Sequence, residues 1–129
     1  MRILKKLEVT DLAALKGKKI YCCEKSLPCL EELSAEYPML IGQIAGILDD
    51  NRRSQGTLTL EGREIPVTGT SSLADIEWSR AALLITGDYH REAFEKLDAC
   101  GELPEDQTVI YYYASRETRI EEAYREQYR

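Results

Sequence analysis

The chain has 129 residues, of which 43% are hydrophobic and 31% charged, and its formal net charge is −6 at pH 7. This length favours one core, and the negative charge disfavours nucleic acid and anionic membrane surfaces as partners, since both bind clustered positive charge. The sequence contains no apolar run of about 18 residues, which would be needed to span a membrane, and no signal-peptide pattern. We therefore expect a cytoplasmic protein in which the four cysteines are reduced thiols.

Short apolar segments along the chain predict buried strands. They are Lys19–Cys23, residues 43–48, Ala81–Thr86 and residues 108–113. Apolar residues at helical spacing predict a helix before the second strand and another after the third. The first carries Leu30, Leu33 and Tyr37 on one face, and the second carries Ala93, Phe94, Leu97 and Cys100. We expect one domain over 1–129, with an N-terminal extension over about 1–17.

Residues 57–68 alternate apolar and polar side chains around Glu61 and Gly62, which predicts a small hairpin insertion. Ser72, with Asp75 three positions later, resembles a capping box and predicts a short helix. Strands that alternate with helices indicate an α/β fold in three layers. The predicted sheet is mostly parallel, with about four strands and the hairpin.

The loop after the first strand differs from that of a dinucleotide site. In an open parallel sheet the ligand crevice lies beyond the carboxyl ends of the strands, and the loop there is normally rich in glycine. Here Glu24, Lys25 and Ser26 replace the glycines, and Pro28 removes a backbone donor. This degenerate glycine loop favours a structural turn over a tight NAD or FAD site, although Lys25 and Ser26 offer an ammonium and a hydroxyl to a ligand.

Polar residues follow the second strand. Asp49, Asp50 and Asn51 stand where an acidic side chain accepts ribose hydroxyls in nucleotide sites. The alternative is that they only begin a turn, because such side chains hydrogen-bond their own backbone. Both interpretations are open from the sequence.

The loop after the third strand holds Gly87 and Asp88, followed by His90, the only histidine of the chain. Asp88 is placed to cap a helix and to orient the imidazole, so the two are the candidate catalytic acid and base. The alternative is a solvated surface histidine.

The cysteines predict no metal site. Cys22 and Cys23 are neighbours in a strand, so their side chains point to opposite faces and cannot hold one ion together. Cys29 lies near a helix N-terminus and is the predicted reactive thiol. Cys100 is expected on the inner face of its helix.

The tyrosines concentrate near the C-terminus. Tyr124 and Tyr128 lie one turn apart on a predicted last helix. Because amphipathic aromatic side chains suit half-buried surfaces, they indicate a sheet-edge contact or a dimer contact.

Several short pieces together resemble a known family. They are Lys19-Ile20-Tyr21, Gly46-Ile47-Leu48-Asp49-Asp50-Asn51, Gly56, Gly62, Ile65-Pro66-Val67, Ser72-Leu73, Ile85-Thr86-Gly87-Asp88 and Arg91. Over about residues 18–113 the chain resembles the N-terminal Rossmann-like domain of bacterial sugar acyltransferases of the sialic-acid O-acetyltransferase and bacillosamine N-acetyltransferase type. The resemblance implies a Rossmann-like domain that binds the nucleotide part of a UDP-sugar.

In that family acetyl transfer depends on a following left-handed β-helix, which these 129 residues do not contain. We therefore expect a module that is non-catalytic or binds a nucleotide-sugar weakly, either as a homodimer or within a larger polysaccharide-biosynthesis protein. The alternatives are a small nucleotide- or NAD-dependent oxidoreductase and a protein-interaction domain that uses the tyrosine-rich helix. The predicted ligand-binding residues are Lys25, Ser26, Asp49, Asp50, Asn51, Gly87 and Asp88.

Overall fold

Seven strands form one sheet in the computed structural model, which describes residues 2–87, 89–112 and 124. The strands are β1 (Ile3–Lys6), β2 (Lys19–Cys23), β3 (Ile44–Leu48), β4 (Gly56–Leu60), β5 (Arg63–Thr68), β6 (Ala81–Thr86) and β7 (Thr108–Tyr112). Their order is β1-β7-β6-β2-β3-β5-β4. Neighbouring strands are parallel, apart from the antiparallel β4–β5 hairpin.

Helices cover both faces of the sheet. They are α1 (Leu12–Leu15), α2 (Leu27–Glu36), α3 (Pro38–Ile41) and α4 (His90–Ala99). Core residues of α1, α2 and α3 pack on one face, and those of α4 pack on the other together with a 3-10 segment, Thr70–Asp75. The predicted α/β fold, a Rossmann-like three-layer domain, is confirmed.

The strand count is higher than predicted because the N-terminal extension contains β1. Ile3 to Lys6 pair in register with Thr108 to Tyr111 of β7. Two of these four residues are lysines, and the strand is exposed or half-buried along its length. It therefore lacks the continuous apolar run by which the other parallel strands were recognised.

Ser26 and Pro28 set the start of α2. The Ser26 hydroxyl accepts a hydrogen bond from the Cys29 backbone N–H at 3.4 Å, and Pro28 occupies the first turn, where its missing N–H costs nothing. The helix then buries Leu30 and Leu33 against the sheet. The helix ends before Pro38, as the sequence predicts.

The capping box predicted at Ser72 is wrong. This stretch forms the 3-10 segment Thr70–Asp75, which follows Gly69, and the Ser72 hydroxyl donates to Thr68 Oγ1 at 3.0 Å. The predicted last helix falls almost entirely outside the described residues, as does Tyr128. Among the described residues no helix is long and apolar enough to cross a membrane.

The order of the strands reverses between β2 and β6. From β2 the chain proceeds to β3 on one side, and it later returns to β6 on the other side. The two strands pair along their whole length, from Lys19 with Ala81 to Cys23 with Ile85. Such a reversal is where open α/β sheets place a ligand, beyond the carboxyl ends of the strands.

Candidate functional site

The strand ends at this reversal are joined by hydrogen bonds. The Glu24 backbone N–H donates to the Thr86 carbonyl at 3.1 Å, and the Thr86 hydroxyl donates to the Glu24 carbonyl at 2.9 Å. Thr86 is buried. The space between the ends of β2 and β6 is thus bridged by the protein's own groups.

Asp49 holds the two adjacent loops together. One carboxylate oxygen accepts from the Lys25 backbone N–H at 3.1 Å, and the other accepts from the Asn51 backbone N–H at 2.9 Å. Asn51 in turn accepts from the Arg53 backbone N–H at 3.0 Å. The turn expected from Asp49 to Asn51 is therefore formed, and the half-buried Asp49 carboxylate is already hydrogen-bonded in it.

The other two candidates of the first loop also make contacts within the protein. Lys25 extends its ammonium to the Ser54 carbonyl, 3.5 Å away. The Ser26 side chain is buried and caps α2. Both side chains, which the sequence suggests as ligand contacts in place of the glycine loop, are therefore already bonded to other groups of the protein.

Asp50, just after β3, contacts the layer that contains α4 and the Thr70–Asp75 segment. Its carboxylate accepts from the backbone N–H and the hydroxyl of Thr70, at 2.8 and 2.9 Å, and lies 2.8 Å from the Lys96 ammonium. The hydrogen bond from Lys96, followed by that from the Thr70 N–H, lowers the pKa of Asp50 to about 2. The same contact raises the pKa of Lys96.

These groups surround a cleft at the carboxyl edge of the sheet. Its volume is about 20 Å³, which holds about one water molecule. The lining residues are Cys23, Glu24, Leu48, Asp49, Asp50, Thr70, Ala93, Lys96 and Leu97. The site thus combines carboxylates, a hydroxyl and one ammonium around a space that is too small for a nucleotide.

The Asp50 contacts predict a small loss of stability in acid. Because the pKa of Asp50 is lower in the folded chain than the ordinary value of about 3.9, its contribution is complete above about pH 5 and is lost progressively as the pH falls through about 2. The Asp50 side chain is 41% exposed, so we expect less than about 1 kcal/mol. Asp50→Asn should therefore be less stable than the wild type at pH 7 by that amount, and the difference should shrink as the pH is lowered from about 5 to about 2, as measured by urea unfolding. A difference at pH 2 that is as large as the difference at pH 7 contradicts this assignment.

Gly87 and His90 stand apart from the cleft. Gly87 has a φ of 129°, which favours glycine, and Asp88 lies outside the described residues. The His90 ring is stacked on Tyr111, with the ring centres 4.1 Å apart and the planes 3° from parallel. This stacking places His90 against β7, and it is not among the residues that line the cleft.

The cysteine predictions are partly wrong. Cys29, predicted to be reactive, is fully buried, because the first turn of α2 faces the core near the Tyr112 carbonyl. Cys22 and Cys23 are buried as expected for strand residues, and burial raises the pKa of Cys22 and raises that of Cys23 to about 12. Cys100 caps the end of α4 and is exposed rather than on the inner face.

Sequence reasoning missed Thr70 and Lys96. Both contact Asp50, from positions 20 and 46 residues farther along the chain. Lys96 is an exposed residue in the middle of a helix, and the ammonium group of such a lysine is usually solvated by water. The packing of α4 on β6 brings the Lys96 ammonium to Asp50, beyond the end of β3.

At the carboxyl edge of this Rossmann-like fold, the polar groups are thus hydrogen-bonded to one another. No protein-family model matches the chain, and neither the curated proteins nor the solved structures gave a match. The case for a function depends on the arrangement of these residues.

Proposed function

We propose that the chain is a non-catalytic Rossmann-like module that binds a nucleotide-sugar weakly at the carboxyl edge of its sheet. The position of Asp49 carries the proposal. Its carboxylate follows β3, next to the strand at which the order reverses, where nucleotide-binding folds place the acceptor for ribose hydroxyls. The resemblance to the acyltransferase domains adds UDP-sugars as the ligand class and bacterial surface-polysaccharide biosynthesis in the cytoplasm as the setting.

Weak binding follows from the contacts within the site. Asp49 already accepts two backbone hydrogen bonds, Ser26 is occupied as a helix cap, and the cleft holds about one water molecule. A ligand must therefore displace groups of the protein before it can enter, and that cost reduces its affinity.

The contact most readily displaced is the Asp50–Lys96 ion pair. The side chains are 41% and 65% exposed, and an exposed pair contributes about 0–1 kcal/mol. Separating it reduces the affinity of a ligand by about fivefold at most. Once separated, Lys96 is available to a phosphate and Asp50 to a hydroxyl.

Titration with UDP-N-acetylglucosamine, followed by NMR of the backbone amides, tests the proposal. We expect saturable shifts of the Asp49, Asp50 and Asn51 amides at millimolar ligand. Asp49→Asn replaces one acceptor oxygen and should weaken binding by about tenfold or more, since hydrogen bonds to charged groups contribute about 1.5–3 kcal/mol.

Glu64→Gln is the matched control. Glu64 is exposed on β5, away from the cleft, and the substitution makes the same acid-to-amide change without altering its lining. Its titration should coincide with that of the wild type. Amide shifts that are absent at the carboxyl edge, or that are equal in the Asp49 and Glu64 variants, contradict nucleotide-sugar binding at this site.

A further inference from the structure

A larger cavity lies at the opposite, amino edge of the sheet. Its volume is about 280 Å³, and it is lined by Lys19, Tyr21, Asp75, Glu77, Arg80 and Ala81. Lys19 is paired with Ala81 across β2 and β6, and Tyr21 points to the same face of the sheet as Lys19, two residues along. The cavity is therefore separate from the cleft at the carboxyl edge.

The topology explains why this face is open. Between β3 and β5 the chain forms a hairpin strand at the sheet edge rather than a helix, and it returns to β6 through two short 3-10 segments, Thr70–Asp75 and Trp78–Arg80. Such segments cover less of the sheet than a helix does. The Tyr21 ring is consequently half-buried and forms part of the cavity wall.

Gly46 fixes the position of the Tyr21 ring. The two residues are neighbours across β2 and β3, and a Cβ atom at Gly46 would lie 3.4 Å from Tyr21 Cδ1. The ring therefore lies against the backbone of β3. It offers an apolar surface with a fixed position to a bound molecule.

The charged side chains that line the cavity make few hydrogen bonds or ion pairs with the described residues. Among the described residues, the side chains of Lys19 and Asp75 form no hydrogen bond or ion pair. Glu77 accepts from the Ser79 hydroxyl at 3.4 Å and pairs with Arg80 at only 4.0 Å, with both side chains mostly exposed. This contrasts with the carboxyl edge, where each carboxylate and ammonium of the cleft described above already has a partner.

We propose that this cavity binds a free α-amino acid with an apolar or aromatic side chain. Arg80 and Lys19 bind its carboxylate, Asp75 and Glu77 bind its ammonium group, and the Tyr21 ring contacts its side chain. The two cations and two carboxylates balance, so a zwitterion leaves no charge unpaired, whereas a phosphate brings further negative charge beside two carboxylates. The volume is also at the lower limit of ligand sites, which favours a small molecule over a dinucleotide.

Equilibrium dialysis with radiolabelled L-phenylalanine tests this directly, and the fluorescence of Trp78 gives a second readout. Trp78 is the only tryptophan of the chain and packs against the same core cluster as Tyr21. We expect saturable binding of one equivalent. Phenylpropionate lacks the ammonium group and phenethylamine lacks the carboxylate, so each should bind at least about tenfold more weakly.

Two exposed positions provide variants that leave the fold intact. Arg80→Gln and Asp75→Asn each remove one charge at the surface, and each should weaken phenylalanine binding by about tenfold. Lys96→Gln, which changes the carboxyl edge, is the control and should bind phenylalanine as the wild type does. The site is thereby tested independently of nucleotide-sugar binding.

Three results overturn the proposal. They are the absence of bound phenylalanine in dialysis at millimolar concentration, equal binding of phenylalanine and its two single-charge analogues, and tighter binding of uridine monophosphate than of phenylalanine. The last of these would assign the cavity to an anionic ligand.

Discussion

Replacing Asp49 with Ala is expected to lower the free energy of unfolding by about 1–3 kcal/mol. The substitution leaves the backbone N–H groups of Lys25 and Asn51 without the acceptors they have in the folded protein. The loops after β2 and β3 lose the side chain that joins them. Urea unfolding at pH 7 measures the loss, and the same variant should show no amide shifts with UDP-N-acetylglucosamine.

Asp49→Asn separates the structural role of the carboxylate from its role in binding. Its amide oxygen preserves one of the two hydrogen bonds, so we expect about half of the loss of stability seen with Ala. Glu64→Gln should change the free energy of unfolding by no more than about 0.5 kcal/mol, since it alters only an exposed group. Equal stability of Asp49→Ala and the wild type would show that the two backbone donors are satisfied in another way.

The fold could be predicted from the sequence because the central strands are continuous apolar segments. All six residues of β6 are buried, and four of the five in β3 are buried. Such runs identify strands covered on both faces, and the intervening helical spacing then implies a parallel sheet. β1 was not predicted in this way. It pairs with β7, more than 100 residues farther along the chain, and is not itself buried.

The candidate sites could be predicted less well. The carboxyl edge was located because loops that follow parallel strands converge there, and Asp49 and Asp50 were identified in this way. Their partners Thr70 and Lys96 belong to elements whose packing the sequence does not specify. The cavity at the amino edge was missed entirely, since its charged residues come from one strand, β2, and from the crossover before β6, which share no motif.

Gly46 offers a test that connects the packing of the sheet with the amino-edge cavity. In a leucine at this position the Cβ atom would already be in van der Waals contact with the Tyr21 ring, at 3.4 Å, so the atoms beyond it compete with the ring for space. We expect Gly46→Leu to lower the free energy of unfolding by about 1–3 kcal/mol, as overpacked cores do. Gly46→Ala adds only the Cβ atom and should change stability by much less.

The double variant Gly46→Leu/Tyr21→Ala determines whether the ring is the cause. Removing the ring frees the space that the leucine needs, so the two substitutions should be non-additive, with a coupling energy of about 1 kcal/mol or more in urea unfolding. Additive effects would show that the leucine clashes elsewhere, for example with the Pro66 carbonyl, which would lie 3.7 Å from the added Cβ. Because the displaced ring also forms the wall of the cavity, Gly46→Leu should reduce phenylalanine binding, whereas Gly46→Ala should preserve it.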